Sequence, residues 1–483
     1  MNLFIVQRIL GILLMLFSIT MLPPIGVSLA FDDQNTTPFV DAFIGLLLTG
    51  LLVWLPVRKQ HRELRLRDGF LVVAAFWVVL GLAGAVPLVL SSNPNIPLTD
   101  AVFEAVSGFT TTGATALVGL DNMPESLQYY RHQIQWLGGI GMVVLAVALL
   151  PMLGIGGMQL LKAETPGPVK DSRLTPRITQ TAKALWLVYV LITAGCAASY
   201  WAAGMTPFEA IGHSFSTVST GGFSNHDANL AYFNSPAVEY IAIVFMFLGG
   251  INFSLHFLAW RRLSVSDYWR DPELRVYVSV LLIATLICSA TLITYNTFSN
   301  PGFALRSSLL HVVSMMTSTG FVATDFTVWP GALPVILILI TFAGGCAGST
   351  AGGMKVIRWL LMWKQGTREI NRLVHPSGIF PVKIGGRAVP WKVIDAVWGF
   401  FAIYVVCFAV LMVLLIATGE DQVTAFSAIA TCMNNTGPGL GEVAANFTTI
   451  SGPGKWICVL AMLLGRLEVY PLIVLVTPAF WRR

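Results

Sequence analysis

The chain has 483 residues, of which 55% are hydrophobic and only 11% are charged. Because soluble domains carry about 25% charged residues, this composition excludes an ordinary soluble protein and indicates that most of the chain faces lipid or other apolar helices. The net charge of +5 at pH 7 is small, so the positions of the basic residues carry more information than their sum.

Ten segments are each long enough to span a hydrocarbon core of ~30 Å, which needs about 20 apolar residues. The first also resembles a signal peptide, because Arg8 precedes an apolar run and Ser28-Leu29-Ala30 resembles a cleavage site, but Pro23-Pro24 and the length of the run favour a retained helix. The predicted spans lie near residues 5–30, 36–56, 70–92, 132–155, 181–203, 236–260, 274–297, 334–363, 392–418 and 455–480.

All but four of the 29 lysines and arginines fall on one common side of these spans. The positive-inside tendency makes that side the cytoplasm, which predicts a multi-pass membrane protein with both termini cytoplasmic. Topology explains these basic loops, so they do not by themselves indicate nucleic acid. A partner protein could still use residues 355–392, the longest cytoplasmic segment. The four exceptions are Arg131, Arg306, Lys455 and Arg466.

Four short segments between the spans are each followed by a Thr-Gly pair and then by a long apolar stretch. Each has about 11 to 13 residues, which is too short to span and suits a re-entrant helix. Helix N-caps are expected at Thr99 or Asp100, at Thr206 with Glu209 completing a capping box, and at Asp421. The short segments are Thr99–Phe109, Thr206–Thr217, Ala304–Met316 and Gln422–Cys432.

One Thr-Gly pair means little, since glycine is the usual residue after a helix end. Four copies, each followed at a similar distance by a small-residue mark such as Leu137–Ile140 or Leu248–Ile251, predict a quadruplicated unit. The predicted fold is an all-α polytopic membrane protein with four pseudo-symmetric helix–pore-helix–filter–helix repeats around a central pore. The predicted boundaries are residues 1–68 for an N-terminal helix pair, then 69–161, 162–262, 263–391 and 392–483 for the four repeats.

The repeated turns suit a cation filter. Irregular backbone survives inside a bilayer only where it is buried in protein or lines water, and carbonyl oxygens replace the hydration shell of an alkali cation. The negative ends of the short helices would favour a cation at the same place. Outer acidic residues, among them Asp100, Glu104 and Glu239, could concentrate cations, although a solvated acidic face explains them equally well. The predicted filter residues are Thr111, Thr112, Gly113, Ser219, Thr220, Gly221, Ser318, Thr319, Gly320, Asn435, Thr436 and Gly437.

Two anomalies predict a gate below this filter. Residues 343–353 contain five glycines, each costing roughly 1 kcal/mol relative to alanine in a helix, which predicts a broken helix with a flexible loop; a small-residue packing face is the alternative. Arg466 lies ~16 Å along a helix from Lys455, too deep to reach the surface, and an intramembrane arginine indicates a functional site. Its expected partners are carbonyls of this loop and not Glu468. The predicted gate residues are Gly344, Gly345, Gly348, Gly352, Gly353 and Arg466.

The runs at residues 107–115, 217–223, 316–321, 434–439 and 464–468 resemble the Trk/Ktr/HKT superfamily of potassium transporters, and the resemblance covers essentially the whole chain. It implies a bacterial inner-membrane protein that transports K⁺, uses no organic cofactor and forms a homodimer with one pore in each protomer. It also implies a cytoplasmic, nucleotide-binding regulatory partner of the TrkA type. In that superfamily one glycine per repeat sets K⁺ selectivity, and the resemblance places Gly113, Gly221, Gly320 and Gly437 there.

The leading function is therefore potassium uptake through a gated, channel-like pore. The alternative is a symporter that couples K⁺ to H⁺ or Na⁺. Broken helices suit carriers too, and Glu468 is the one deep acidic candidate for a coupling site. An enzyme is not expected, because the spans contain no paired nucleophile and base and no metal-ligand cluster.

Overall fold

The computed structural model describes residues 3–60, 66–144 and 175–482. Within these ranges the regular secondary structure is helical, as predicted, apart from a two-stranded antiparallel hairpin in which Ile384 pairs with Arg387. The boundary predicted at residues 161 and 162 lies outside the described residues. The elements are α1 (Leu3–Ile19), α2 (Leu22–Phe31), α3 (Thr36–Trp54), α4 (Leu66–Gly84), α5 (Val86–Leu90), α6 (Leu98–Phe109), α7 (Glu125–Val144), α8 (Thr175–Ala202), α9 (Pro207–Val218), α10 (Pro236–Gly249), α11 (Phe253–Arg262), α12 (Ser266–Arg270), α13 (Pro272–Thr294), α14 (Pro301–Met316), α15 (Leu333–Thr341), α16 (Val356–Val374), β1 (Lys383–Ile384), β2 (Arg387–Ala388), α17 (Trp391–Ala417), α18 (Gln422–Asn434), α19 (Gly452–Arg466), α20 (Tyr470–Val476) and α21 (Pro478–Trp481).

Fewer candidate spans are present among the described residues than the ten predicted. The described part of the chain contains six helical stretches that are long and apolar enough to cross a membrane, the first made of α1 and α2 and the third of α4 and α5. Two further predicted spans are helix pairs bent by 94° (α10 and α11) and by 112° (α19 and α20), so each is a broken span or a re-entrant loop. The span predicted at 132–155 lies partly outside the described residues. The six stretches are Leu3–Phe31, Thr36–Val57, Asp68–Leu90, Ala182–Ala202, Pro272–Thr294 and Trp391–Ala417.

The helix breaks have local causes that the hydropathy pattern hides. The α10–α11 break follows Gly249-Gly250 and ends at Asn252, whose side chain caps α11 by accepting a hydrogen bond from Ser254 N at 2.9 Å. The break after α19 has left-handed backbone at Glu468 (φ 53°) and Val469 (φ 62°). Helices therefore break in three of the predicted repeats, and not only at residues 343–353 as expected.

The four short helices are α6, α9, α14 and α18. Two of the expected N-caps are present: Thr206 forms a capping box with Glu209, and Asp421 accepts hydrogen bonds from the first turn of α18. The expected cap at Thr99 or Asp100 is wrong, because α6 begins at Leu98, after Pro97, and makes no side-chain cap. Asn300 caps α14 by accepting from Gly302 N, a cap that the sequence pattern did not single out.

The four short helices and the helices that they pack on form a circular series of contacts. Helix α9 packs on α7, α14 on α10, α18 on α15, and α6 on α19. Each of the last three short helices therefore packs on a helix that lies just after the previous short helix in the chain. The first short helix, α6, packs on α19, which lies just after the last short helix, α18, so the contacts form a closed circle. This arrangement brings all four turns towards one place.

Three buried or partly buried ion pairs join these helices on the side where the short helices begin. Arg131 and Glu104 lie 2.7 Å apart, and both side chains are completely buried. Lys455 pairs with Asp100 at 2.6 Å, and the guanidinium of Arg306 with Glu239 at 2.9 Å. These three carboxylates are thus neutralised within the protein, and the expectation that they form an open acidic face is wrong.

Replacing Arg131 by alanine is expected to lower the free energy of unfolding by about 3–5 kcal/mol, because it leaves the Glu104 carboxylate buried without its cation. Chemical denaturation in detergent micelles measures this loss. The double variant Arg131→Met/Glu104→Gln removes both charges and should recover most of the stability. Equal losses in the single and double variants would contradict the pairing.

Candidate functional site

Each short helix ends in a turn of the same geometry. The first turn residue has left-handed φ between 53° and 55° at Thr111, Thr220, Ser318 and Asn435. The next residue then donates its backbone N–H to the carbonyl five positions earlier, at 2.8 Å in every case. The four bonds are Thr112 to Ser107, Gly221 to Ser216, Thr319 to Ser314 and Thr436 to Thr431. The four turns are therefore equivalent residue by residue.

This equivalence corrects the predicted register of the second turn. The third turn residue is a glycine with left-handed φ in every case: Gly113 (78°), Gly222 (77°), Gly320 (80°) and Gly437 (91°). Gly221, which the resemblance aligned with Gly113, instead aligns with Thr112. The sequence comparison matched Thr-Gly pairs, and the second turn reads Thr-Gly-Gly, so the match selected the first glycine instead of the second.

The third-position glycines pack against the carbonyl groups of the neighbouring turn. An ideal Cβ on Gly222 would lie only 1.8 Å from the carbonyl oxygen of Thr319. The same pairing joins Gly113 to the carbonyl of Gly221 (2.0 Å), Gly320 to that of Thr436 (2.0 Å) and Gly437 to that of Thr112 (2.9 Å). Four glycines and four carbonyls thus form a closed ring. We call them the ring glycines (Gly113, Gly222, Gly320 and Gly437) and the ring carbonyls (Thr112, Gly221, Thr319 and Thr436).

A cavity of about 580 Å³ lies directly against the ring. All four ring glycines line it, together with the carboxylates Asp227 and Asp325. Among its lining residues the second turn contributes Gly222 and not Gly221, which agrees with the corrected register. Arg131 also lines the cavity, but it is paired with Glu104, so the two carboxylates are the groups of this lining that would attract cations.

The glycine-rich segment breaks its helix as predicted, since α15 ends at Thr341 and α16 begins at Val356. We call residues 343–353 the glycine loop. It lies against the inner ends of the short helices: Gly353 N donates to Asn434 O at 3.1 Å, and Gly352 N donates to the Ser318 hydroxyl. The loop is therefore bonded directly to the third turn and to the end of α18, next to the fourth turn, and is not a loose segment.

Its other end is tied to the α10–α11 break. Cys346 N donates to Gly250 O at 2.8 Å, and Gly348 O accepts from Phe253 N at 3.0 Å. One carboxylate oxygen of Glu273, on α13, accepts hydrogen bonds from Ala347 N at 2.8 Å and Ile357 N at 3.2 Å. Glu273 therefore clamps the loop to the start of α16.

Arg466 is the last residue of α19, and only 1% of its surface is exposed. It donates to Thr350 O, in the glycine loop, at 3.1 Å and to Gly138 O at 3.4 Å. Its Nε has no hydrogen-bond partner among the described residues. The expected partner, a loop carbonyl, is present. Glu468 pairs with Arg358 instead.

Two further buried cations were missed by the sequence analysis. Lys355 and Arg358 were counted with the cytoplasmic basic residues, yet they are only 3% and 5% exposed. Lys355 donates its ammonium to Ala351 O in the glycine loop. The signal was available in the chain, because Lys355 follows the last loop glycine by only two residues and so lies at nearly the same depth.

The ring and the loop beneath it define the class, that of cation transport proteins. A model of the TrkH family, described as "Cation transport protein", matches residues 36–483, and the chain belongs to this family. It is 52% identical to the Trk system potassium uptake protein TrkH of Vibrio parahaemolyticus, with 98% of each chain covered, and 39% identical to TrkG of Escherichia coli, covering 99% and 98%. The crystal structure of the potassium transporter TrkH from V. parahaemolyticus matches with a TM-score of 0.94, at 49% identity and with both chains fully covered.

Proposed function

We propose that this protein takes up potassium ions through a gated, channel-like pore that passes through the ring. The observation that carries the proposal is the closed ring of four carbonyls, each in contact with a glycine of the neighbouring turn. Oxygens in such a ring can replace the hydration shell of K⁺. The relatives named as Trk system potassium uptake proteins support the choice of ion.

The architecture that goes with this function is four repeats around a central pore, preceded by a helix pair, in the bacterial inner membrane with both termini cytoplasmic. The closed packing of the short helices supports the four-fold arrangement. The side of the membrane follows from the distribution of lysine and arginine. The repeat ranges are those predicted from the sequence.

The selectivity filter consists of the twelve residues predicted from the sequence, with Gly222 added as the ring glycine of the second turn. In the second turn, Gly221 supplies the ring carbonyl, and Gly222 lets the backbone approach the Thr319 carbonyl of the third turn. The short helices end at the ring, so the negative ends of their dipoles favour a cation there.

The glycine loop and Arg466 form the gate. Its support is geometric: the loop bonds to the third turn and to the end of α18, and the Arg466 guanidinium bonds to the loop. A guanidinium close to the ion path repels cations in a low-dielectric setting. Opening requires the glycine loop and the Arg466 guanidinium to leave the ion path.

Replacing Glu273 by alanine is expected to raise the basal ion flux about two- to tenfold, because it removes an acceptor from the N–H groups at both ends of the clamp. Tracer uptake into proteoliposomes measures the change. Glu273→Gln keeps a side-chain oxygen and should stay near the wild-type flux. If the alanine variant inserts normally and its flux does not rise, the clamp does not hold the gate closed.

We also propose a homodimer and a cytoplasmic nucleotide-binding regulator of the TrkA type. Family membership supports both. Helix α16 continues from the glycine loop, and its C-terminal half carries Arg368 and Arg372, both of which pair with Glu369. A regulator that binds α16 could therefore pull the loop directly.

A coupled symporter is the alternative. It would need a buried acidic group free to take up H⁺ or Na⁺, and Glu468, the sequence-based candidate, is already paired with Arg358. Uptake of ⁸⁶Rb⁺ into proteoliposomes at fixed membrane potential distinguishes the two. A pore should give the same uptake with and without a pH or Na⁺ gradient; uptake that either gradient drives without a potential would favour the symporter.

A further inference from the structure

Gln135 reaches from α7 to the second turn and is completely buried. Its Nε2 donates to the Gly221 carbonyl at 2.7 Å, and its Oε1 accepts from Phe223 N at 3.2 Å. The amide therefore holds the backbone on both sides of Gly222, and the two bonds together fix which end of the amide faces the carbonyl.

The second turn is the one that needs such a support. The other turns carry a threonine at the ring-carbonyl position (Thr112, Thr319 and Thr436), whereas the second carries Gly221. The Gln135 side chain fills the missing volume, since an ideal Cβ on Gly221 would lie 2.5 Å from Gln135 Cδ. Gly221 does not have the left-handed φ of the ring glycines, so its backbone would accept a side chain if Gln135 made room.

We propose that Gln135 is a specificity-determining positioning residue of the filter, which takes the place of the threonine that the second turn lacks. The inference rests on the proposed transport function. A carbonyl oxygen has two lone pairs, so Gln135 can occupy one and leave the other for a cation. Gln135 thereby fixes the position of one of the four ring carbonyls, and the spacing and field of these carbonyls set the preference among alkali cations.

The test measures ⁸⁶Rb⁺ uptake into proteoliposomes in competition with K⁺ and with Na⁺. Gln135→Met keeps similar volume but loses both hydrogen bonds, and the preference for K⁺ over Na⁺ should fall about two- to tenfold. The matched control is Gln133→Met on the same helix. Gln133 also donates to a backbone carbonyl, that of Thr20 at 2.8 Å, but away from the ring, and the variant should keep the wild-type preference.

Changing both residues together should restore the K⁺ preference, a rescue that a purely structural role of Gln135 would not give. Gly221→Thr alone should abolish selective uptake, because the new side chain meets Gln135. Gly221→Thr combined with Gln135→Ala recreates the threonine of the other three turns and should restore the K⁺ preference.

Two results would overturn the inference: an unchanged preference in Gln135→Met, or no recovery in the double variant. A wild-type protein that does not prefer K⁺ would instead refute the proposed function. The two failures are therefore distinguishable in one set of assays.

Discussion

Replacing Arg466 by alanine should raise the basal K⁺ flux at least about tenfold. The side chain is buried beside the glycine loop, where its guanidinium bonds to Thr350 O. Two unit charges 4 Å apart repel by about 4 kcal/mol at an effective dielectric constant of 20. Removing even a third of that barrier changes a rate tenfold. The substitution also removes one of the bonds that hold the loop.

Arg466→Lys is the matched variant, because it keeps the positive charge while losing the two-pronged hydrogen bonding. Its flux should stay well below that of Arg466→Ala. Tracer uptake into proteoliposomes, with monodisperse protein of equal reconstituted amount, provides the comparison. If Arg466→Ala shows wild-type or lower flux under these conditions, electrostatic gating by Arg466 is wrong.

Replacing Gly222 by alanine should abolish K⁺-selective uptake. The new methyl group would lie 1.8 Å from the Thr319 carbonyl oxygen, far inside van der Waals contact, so either the ring opens or the carbonyl rotates away. Gly113→Ser should act in the same way against the Gly221 carbonyl, at 2.0 Å. Both residues also have left-handed φ, which adds roughly 1–2 kcal/mol of backbone cost to any side chain.

Gly119→Ala separates these two causes. Gly119 has φ 74°, close to that of Gly222, but nothing lies within 4 Å of its ideal Cβ. The control therefore has the same backbone strain without the collision, and its selectivity should match wild type. Wild-type selectivity in a correctly inserted Gly222→Ala protein would mean that the ring is not the ion path.

Local signals in the sequence located the four short helices and their turns, but they missed the true start of α6 and the Asn300 cap of α14. Thr206 and Glu209 predicted the start of α9, and glycines after the short helices predicted the turns, because capping depends on neighbouring residues. The register of the second turn depends on which glycine meets the Thr319 carbonyl. The amino-acid sequence alone does not show which of the two glycines, Gly221 or Gly222, makes that contact.

Contacts between distant residues were beyond reach of the sequence. The Arg131–Glu104 pair and the burial of Lys355 depend on how helices pack, and the distribution of basic residues alone placed Lys355 in a cytoplasmic segment. The breaks after α10 and α19 were missed for a related reason, since an apolar stretch has the same hydropathy whether it is straight or bent. Gln135 gave no sign of its role, because its partner lies 86 positions away.

Competition for ⁸⁶Rb⁺ uptake by the wild-type protein in proteoliposomes tests the central claim, that the ring is a potassium filter, most directly. Uptake is measured at fixed membrane potential with increasing external K⁺ or Na⁺. The ring predicts that K⁺ inhibits uptake at much lower concentration than Na⁺ does. Equal inhibition by Na⁺ and K⁺ would contradict it.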